Sequence, residues 1–334
     1  MTETPLLSVR DLKVEFPTRR ATLTAIDGVS FDLKKGEVLG VVGESGAGKS
    51  ITGSAIIGLL EPPGRIAGGE IRLKGERIDN LSQAAMRKVR GKRIGMIFQD
   101  PLTSLNPLFT IGEQITETIM THLPVSEAEA RKRAIGLLEE VGIPAAGDRL
   151  DAYPHQFSGG MRQRVVIALA LCAEPELVIA DEPTTALDVS VQAQIIGLLK
   201  RICNDHGASV MLITHDMGVI AETCDRVAVM YSGRVAEIGP VRDVVKSPHH
   251  PYTVGLMGAI PTLIGEHDRL TQIPGSMPRL DAIPKGCPFN PRCAHVFDRC
   301  RAERPDPIDV GASRVACWLV EEGRNGHANE VEQA

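Results

Sequence analysis

The sequence predicts an α/β fold in which helices cover a mainly parallel sheet. Three observations carry that prediction. An apolar run, Val38–Val42, passes directly into a glycine-rich loop at 43–50 and then into residues 50–60 (SITGSAIIGLL), which have helical spacing. Two further β-rich runs, 177–180 (LVIA) and 210–214 (VMLIT), bracket a helical stretch, VSVQAQIIGLLKRICND, with Gly207 just beyond its end. Strand–helix–strand alternation of this kind builds parallel sheets, because a parallel partner needs a long crossover. Finally, 227–231 (VAVMY) turns through Ser232 and Gly233 into 234–238, a hairpin signal.

The remaining elements follow in order. Residues 6–16 and 29–33 (VSFDL) have strand character, and Lys-Lys-Gly-Glu at 34–37 is a turn. Residues from about 100 to 175 are mostly helical in pattern. Within them Ser126 and Glu129 read as a capping box, opening a helix that runs to about Val141 with Gly142 as its stop. After Gly239 the texture changes: 246–320 are rich in Pro and hold four of the seven Cys, while 321–334 read as a solvated, disordered tail. The expected organisation is a main domain over 1–245 with a helical subdomain at about 100–175, an extension over 246–320, and the tail. The sequence has no internal repeat and no second glycine loop of this kind.

Composition narrows the function. The chain has 334 residues, 43% hydrophobic and 24% charged, which excludes disorder of the whole chain. Its 37 basic against 42 acidic residues give a formal charge of −5, and aromatics are only 3%, so a general nucleic-acid binder with stacking platforms is not expected. The longest apolar run, VVIALALCA at 165–173, is far short of the ~20 residues a bilayer crossing needs. The N-terminus lacks a basic region before an apolar core, so a signal peptide is not expected and the chain reads as cytosolic. Clustered cysteines in that compartment more often bind metal than form disulfides.

The loop GESGAGKS at 43–50 fits G-x-x-x-x-G-K-[ST] at every fixed position. Gly43, Gly46 and Gly48 let the backbone of Glu44, Ser45 and Ala47 fold around phosphates, and the following helix, through Ser50 and Ile51, adds its positive end. Lys49 is expected to reach the β- and γ-phosphates and the Ser50 hydroxyl to ligate Mg²⁺. LVIA ends in Asp181 and Glu182, whose side chains leave the strand end in different directions. Asp181 can hold Mg²⁺ through water and Glu182 can polarise an attacking water; without the phosphate loop such a pair is usually a solvated strand end. Ser158, Gly159 and Gly160 open the helix containing 165–173, either as a second anion site or as an ordinary capped start. Gln99 and His215 each follow a strand, at the sheet edge where open α/β folds bind ligands.

Together these residues resemble the ATP-binding cassette (ABC) ATPases over roughly residues 6–240, in the expected order. GESGAGKS resembles Walker A, Gln99 the Q-loop, FSGGMRQR the signature motif and LVIADE the Walker B with its catalytic Glu182. Ala-Leu-Asp ending at Asp188 resembles the D-loop, and His215 the switch histidine. Phe157 and Met161 depart from the commoner LSGGQ, but the Ser-Gly-Gly is intact; Phe16 stands where the family stacks an aromatic ring on adenine. The fold this implies is a P-loop NTPase cassette: a RecA-like, mainly parallel sheet core with antiparallel β and helical subdomains.

NPLFTIGEQI at 106–115, SPHHPYT at 247–253 and the Cys-bearing extension are similar to the ATPase subunits of bacterial dipeptide/oligopeptide importers. That resemblance implies a second ATPase subunit, a paralogue by family habit, two membrane permease subunits, an extracytoplasmic substrate-binding protein and no nucleic acid. The location it implies is peripheral, on the cytoplasmic face of the inner membrane. It further implies ATP and Mg²⁺ (held through Ser50, Gln99 and Asp181), with ATP between Walker A of one subunit and Ser158–Gly160 of the other, and Glu182, His215, Lys49 and Gln99 as the catalytic group. A ribosome-acting relative would carry two cassettes, and a DNA-repair relative a long coiled-coil insertion; this sequence has neither.

Cys287, Cys293, Cys300 and Cys317 are spaced C-x5-C-x6-C-x16-C. Four thiolates suit tetrahedral Zn²⁺ or an iron–sulfur cluster, although the C-x2–4-C pairs usual for structural zinc are missing; unligated thiols are the remaining reading. The family resemblance favours a 4Fe–4S cluster, with Zn²⁺ as the alternative. Cys172, Cys203 and Cys224 read as small buried side chains.

Overall fold

The computed structural model describes residues 4–184, 189–259 and 272–323. In chain order these hold β1 (Leu7–Pro17), β2 (Thr22–Leu33), β3 (Val38–Val42), α1 (Lys49–Ile56), β4 (Arg65–Leu73), β5 (Glu76–Arg77), α2 (Gln83–Met86) and β6 (Ile94–Ile97). A helical stretch follows: α3 (Pro101–Ser104), α4 (Ile111–His122), α5 (Glu127–Glu140), α6 (Ala146–Arg149) and α7 (Gly159–Leu171). Alternation then resumes with β7 (Leu177–Asp181), α8 (Val189–Asp205), β8 (Ser209–Thr214), α9 (Met217–Thr223), β9 (Arg226–Tyr231) and β10 (Arg234–Pro240). The C-terminal part adds α10 (Val241–Lys246), α11 (Pro251–Gly258), α12 (Asp298–Ala302), β11 (Ile308–Val310), β12 (Ser313–Val315) and α13 (Trp318–Glu321).

The chain divides into two compact units. The first comprises residues 1–7, 33–38 and 73–213. There β6, β7 and β8 run parallel, in register Ile97↔Ala180 and Asp181↔Ile213. Every residue of β7 and β8 is buried, as expected of continuous apolar runs inside a parallel sheet. Helices α3 to α8 pack among themselves and α7 packs on β6. They bury Ile111, Ile115 and Ile119 of α4, Ala130, Ala134 and Leu138 of α5, and Val165 to Ala168 with Leu171 of α7. The i, i+4 spacing of those residues is the stripe that a helix needs to cover a core.

The second unit comprises residues 8–32, 39–72 and 214–334. Here β3 lies parallel to β9 in register Val42↔Val229, and β9 turns back into antiparallel β10. The extension continues this arrangement: β12 pairs antiparallel with β10 (Glu237↔Val315), and β11 with β12. One apolar cluster joins Val42, Val227, Val229 and Tyr231 to Tyr252, Cys287, Phe289, Cys300 and Trp318 of the extension. A small Pro-rich segment cannot bury enough surface by itself, and here it completes the core of the strands before it. Beside it, β2, β1 and β4 are neighbours in that order. Among the described residues no helix is long and apolar enough to cross a membrane.

Candidate functional site

The glycine loop leaves the end of β3, whose five residues are all buried. Side chains are excluded at its ends. A Cβ at Gly43 would stand 2.3 Å from the Met230 carbonyl of neighbouring β9. Gly48 sits left-handed at φ +101° as the N-cap of α1, and a Cβ there would stand 2.6 Å from Ile26. That N-cap makes no side-chain hydrogen bond and the first turn carries no acidic residue. No side chain caps that end, and a helix N-terminus with its dipole is suited to an anionic ligand. Lys49, the first residue of α1, is buried, and its Nζ donates to the carbonyls of Gly43 (2.8 Å) and Glu44 (3.1 Å). Ser45 and Gly46 are exposed, Ser50 and Ile51 half-buried.

In the first unit the strand ends gather the acidic pair. Asp181 closes β7 and is buried. Glu182 then turns left-handed, at φ +45°, while its amide still donates to the Ile213 carbonyl of β8 at 2.8 Å. A non-glycine residue in that region costs roughly 1–2 kcal/mol, and such strain clusters at functional sites. Parallel β6 and β7 end level, so residues two past each register pair meet: Gln99 Nε2 donates to Glu182 Oε2 at 3.3 Å, across 83 residues of sequence.

Ser158 is the N-cap of α7 and its Oγ accepts from the Met161 amide at 3.3 Å. Ser158 and Gly159 are exposed, and a Cβ at Gly159 would meet nothing within 4 Å. Phe157, immediately before them, is buried beneath the Arg149 guanidinium at 5.8 Å. His215 is exposed, one residue beyond β8, and Asp216 next to it caps α9 by accepting from the Gly218 and Val219 amides. Phe16, half-buried on β1, lies against Gly64, where a Cβ would stand 2.6 Å from its ring. Asp188 lies outside the described residues.

Two contacts to the loop escaped the sequence reading. The Tyr252 hydroxyl accepts from the Glu44 amide at 2.9 Å, and Arg292 forms a two-pronged ion pair with the Glu44 carboxylate. Tyr252 lies within SPHHPYT, a segment singled out only for its resemblance; Arg292 carries no local signal at all.

The four late cysteines share one region. The Cys287 amide donates to the Cys300 carbonyl at 2.8 Å. Burial pushes the Cys287 thiol up to about 11, with the charges of Cys300 and Cys293 adding to it, and the Cys317 thiol up to about 12, with Cys287 and Cys293 adding. The thiols therefore lie within electrostatic reach of one another. Yet among the described residues no three His, Cys, Asp or Glu side chains are arranged to hold a metal ion, which departs from the expected cluster. Burial favours the neutral form of the Cys287 and Cys317 thiols, and it is the thiolate that ligates metal. Cys172 and Cys203 are buried, with thiols raised to about 12 by burial, and Cys224 is half-buried.

A strand, a phosphate-cradling loop and an uncapped helix start carrying a lysine define a P-loop nucleotide-binding protein. Residues 26–185 match the family described as ABC transporter, and 236–300 the family described as oligopeptide/dipeptide transporter, C-terminal region. The chain is 50% identical to the dipeptide transport ATP-binding protein DppD of Bacillus subtilis, covering 97% of each. It is likewise 50% identical to the oligopeptide transport ATP-binding protein OppD of Escherichia coli, covering 95% of this chain and 94% of that one. The dimeric post-hydrolysis structure of the ATP-binding cassette MJ0796 with ADP and Pi superposes with a TM-score of 0.64 at 28% identity, covering 71% of this chain and 99% of that one. The chain belongs to the dipeptide/oligopeptide branch of the ABC transporter ATP-binding proteins, and is an ATPase with the cassette's P-loop NTPase fold.

Proposed function

We propose that this subunit binds and hydrolyses ATP to power import of dipeptides, oligopeptides or a related small solute, pairing with a second, paralogous ATPase subunit. Two permease subunits and an extracytoplasmic binding protein complete the assembly, with this chain on the cytoplasmic face of the inner membrane. The observation that carries the reading is the uncapped start of α1 with Lys49 folded over its own loop. It stands in a chain half identical, nearly end to end, to the dipeptide transport protein of Bacillus subtilis.

Residues 43–51 cradle the phosphates and Phe16 stacks on adenine. Lys49 exchanges its two loop carbonyls for β- and γ-phosphate oxygens, replacing neutral acceptors by charged ones. The hydroxyl of Ser50, the carboxylate of Asp181 and the amide oxygen of Gln99 are hard oxygen donors that fit Mg²⁺, which when bound offsets phosphate charge. Glu182 acts as general base on the attacking water, and Gln99 orients its carboxylate. His215 contacts the γ-phosphate. The exposed Ser158 and Gly159 and the half-buried Gly160, with no side chain at either glycine, present backbone amides to the partner's nucleotide, and Asp188 is the D-loop residue. Residues 1–245 form the ATPase domain, with its helical subdomain at about 100–175, followed by the extension at 246–320, whose last helix α13 runs on to Glu321. The thiols of Cys287, Cys293, Cys300 and Cys317 are the donor set for a 4Fe–4S cluster, Zn²⁺ being the alternative; the hydrogen bond from the Cys287 amide to the Cys300 carbonyl, which brings two of the four into one region, supports that reading.

The test is ATP binding and peptide uptake by the assembled transporter. The full chain, co-purified with its permeases and reconstituted with the binding protein, takes up labelled peptide only with ATP, and Lys49→Ala loses nucleotide binding. Unchanged ATP affinity in Lys49→Ala, or failure of the chain to associate with the permeases, overturns the reading.

A further inference from the structure

Glu44, the second residue of the phosphate loop, is gripped at both backbone and side chain by the C-terminal extension. Its amide donates to the Tyr252 hydroxyl at 2.9 Å. Its carboxylate accepts from Arg292 Nη1 at 2.9 Å and Nη2 at 3.1 Å, a paired geometry that fixes direction as well as distance. These are not loose surface contacts. Tyr252 is fully buried, and the Arg292 side chain is 5% exposed. The guanidinium lies 5.9 Å from the Tyr231 ring centre and 6.0 Å from that of Phe289, and its Nε donates to the Pro274 carbonyl at 2.9 Å. Tyr252 in turn packs edge-on against Tyr231, with ring centres 4.7 Å apart. Both anchors are thus held by a rigid aromatic cluster.

The grip reaches the chemistry through one more bond. The Glu44 carbonyl accepts from Lys49 Nζ and from the Ala47 amide, both at 3.1 Å. Where residue 44 sits therefore sets where the lysine and the loop's inward amides sit. We propose that Arg292 and Tyr252 are positioning residues of the nucleotide site: they hold the phosphate loop in its binding shape before ATP arrives, so that the extension sets nucleotide affinity. This rests on the reading that the loop binds ATP. A loop released from both anchors would spend only a fraction of its time in the competent shape, and apparent affinity falls by that fraction.

The experiment is equilibrium binding of ATP to the full chain, followed by ATP dependence of turnover. Arg292→Gln and Glu44→Gln each weaken ATP binding about tenfold, and the double variant weakens it no further than either alone. Arg292→Lys recovers part of the loss, as one prong of two. Tyr252→Phe keeps the buried ring, loses only the acceptor, and weakens binding several-fold. In each variant the half-saturating ATP concentration rises by a larger factor than the maximal rate falls, whereas damage to the fold alone would lower the rate without moving half-saturation. Unchanged or tighter ATP binding in Arg292→Gln and Tyr252→Phe, or fully additive losses in the double variant, overturns the proposal. The Lys49→Ala control separates the two readings: if it also binds ATP normally, the loop assignment has failed rather than the grip.

Discussion

Glu182 occupies a left-handed backbone position that glutamate disfavours, and its carboxylate is met by Gln99. Glu182→Gln retains the shape and removes the carboxylate proposed as the base; the expected result is ATP binding near the parent's with turnover at least ~10²-fold slower. Near-normal turnover would remove Glu182 from that role. His250 supplies a second residue-scale test. It is buried, its Nδ1 accepts from the Tyr252 amide, and burial alone drops its pKa to about 4 even though the Glu237 carboxylate binds its backbone amide. With a folded value depressed below the usual ~6.5, the unfolded chain takes the proton first. The neutral ring's contribution is intact above about pH 6.5 and is lost as pH falls toward 4, amounting to roughly 3 kcal/mol. His250→Asn keeps an acceptor at the cap of α11 and removes the titration, so its stability should stay flatter than the parent's between pH 6.5 and 4 in denaturant melts. The strand-end places of Gln99, Asp181, Glu182 and His215 were legible because each stands at or just past an apolar run of strand type. Arg292 was not legible, because nothing local in the sequence ties residue 292 to residue 44, 248 positions away.

At the scale of elements, signals contained within a few residues were readable and those made by distant strands were not. β7, β8 and α8 fall where the apolar runs place them. β4 was not among the strands read from the sequence, where Gly68 and Gly69 break its apolar pattern; Gly69 is left-handed at φ +83°, and a Cβ there would stand 2.4 Å from the Arg10 and Asp11 carbonyls of β1. Only the close approach of β1, the neighbour of β4 in the sheet, explains that glycine. Capping shows the same limit. Ser126 does accept from the Glu129 amide (3.3 Å), but the reciprocal box lies at Thr110, whose amide donates to Glu113 Oε2 at 2.7 Å while Thr110 Oγ1 accepts from the Glu113 amide at 3.2 Å. Thr110→Ala should therefore cost about 1 kcal/mol, a drop of roughly 2–4 °C in the melting midpoint, with Glu113→Ala costing little more on top of it. Additive losses would show that the two halves of the box act separately.

For the molecule as a whole, the extension is both part of the core and a route to the nucleotide. Phe289, Cys287 and Trp318 pack into the same cluster as Val42 and Val229, so what happens at the four thiols is not insulated from the strands that carry the loop. The shortest path is covalent: Arg292, which grips Glu44, immediately precedes Cys293. A metal centre drawing Cys287, Cys293, Cys300 and Cys317 together would remove conformational freedom from the Arg292 backbone and hold its guanidinium more firmly on the loop. Iron loading should then tighten ATP binding several-fold relative to protein stripped by chelation, with broad absorbance near ~400 nm reporting the loaded state. Zinc would give the same tightening without that absorbance. In Arg292→Gln the difference between loaded and stripped protein should vanish, because the link is cut while the thiols remain. Equal ATP affinity in loaded and stripped parent protein would confine the four cysteines to stapling the extension, and a difference that survives Arg292→Gln would route the coupling through the aromatic cluster instead.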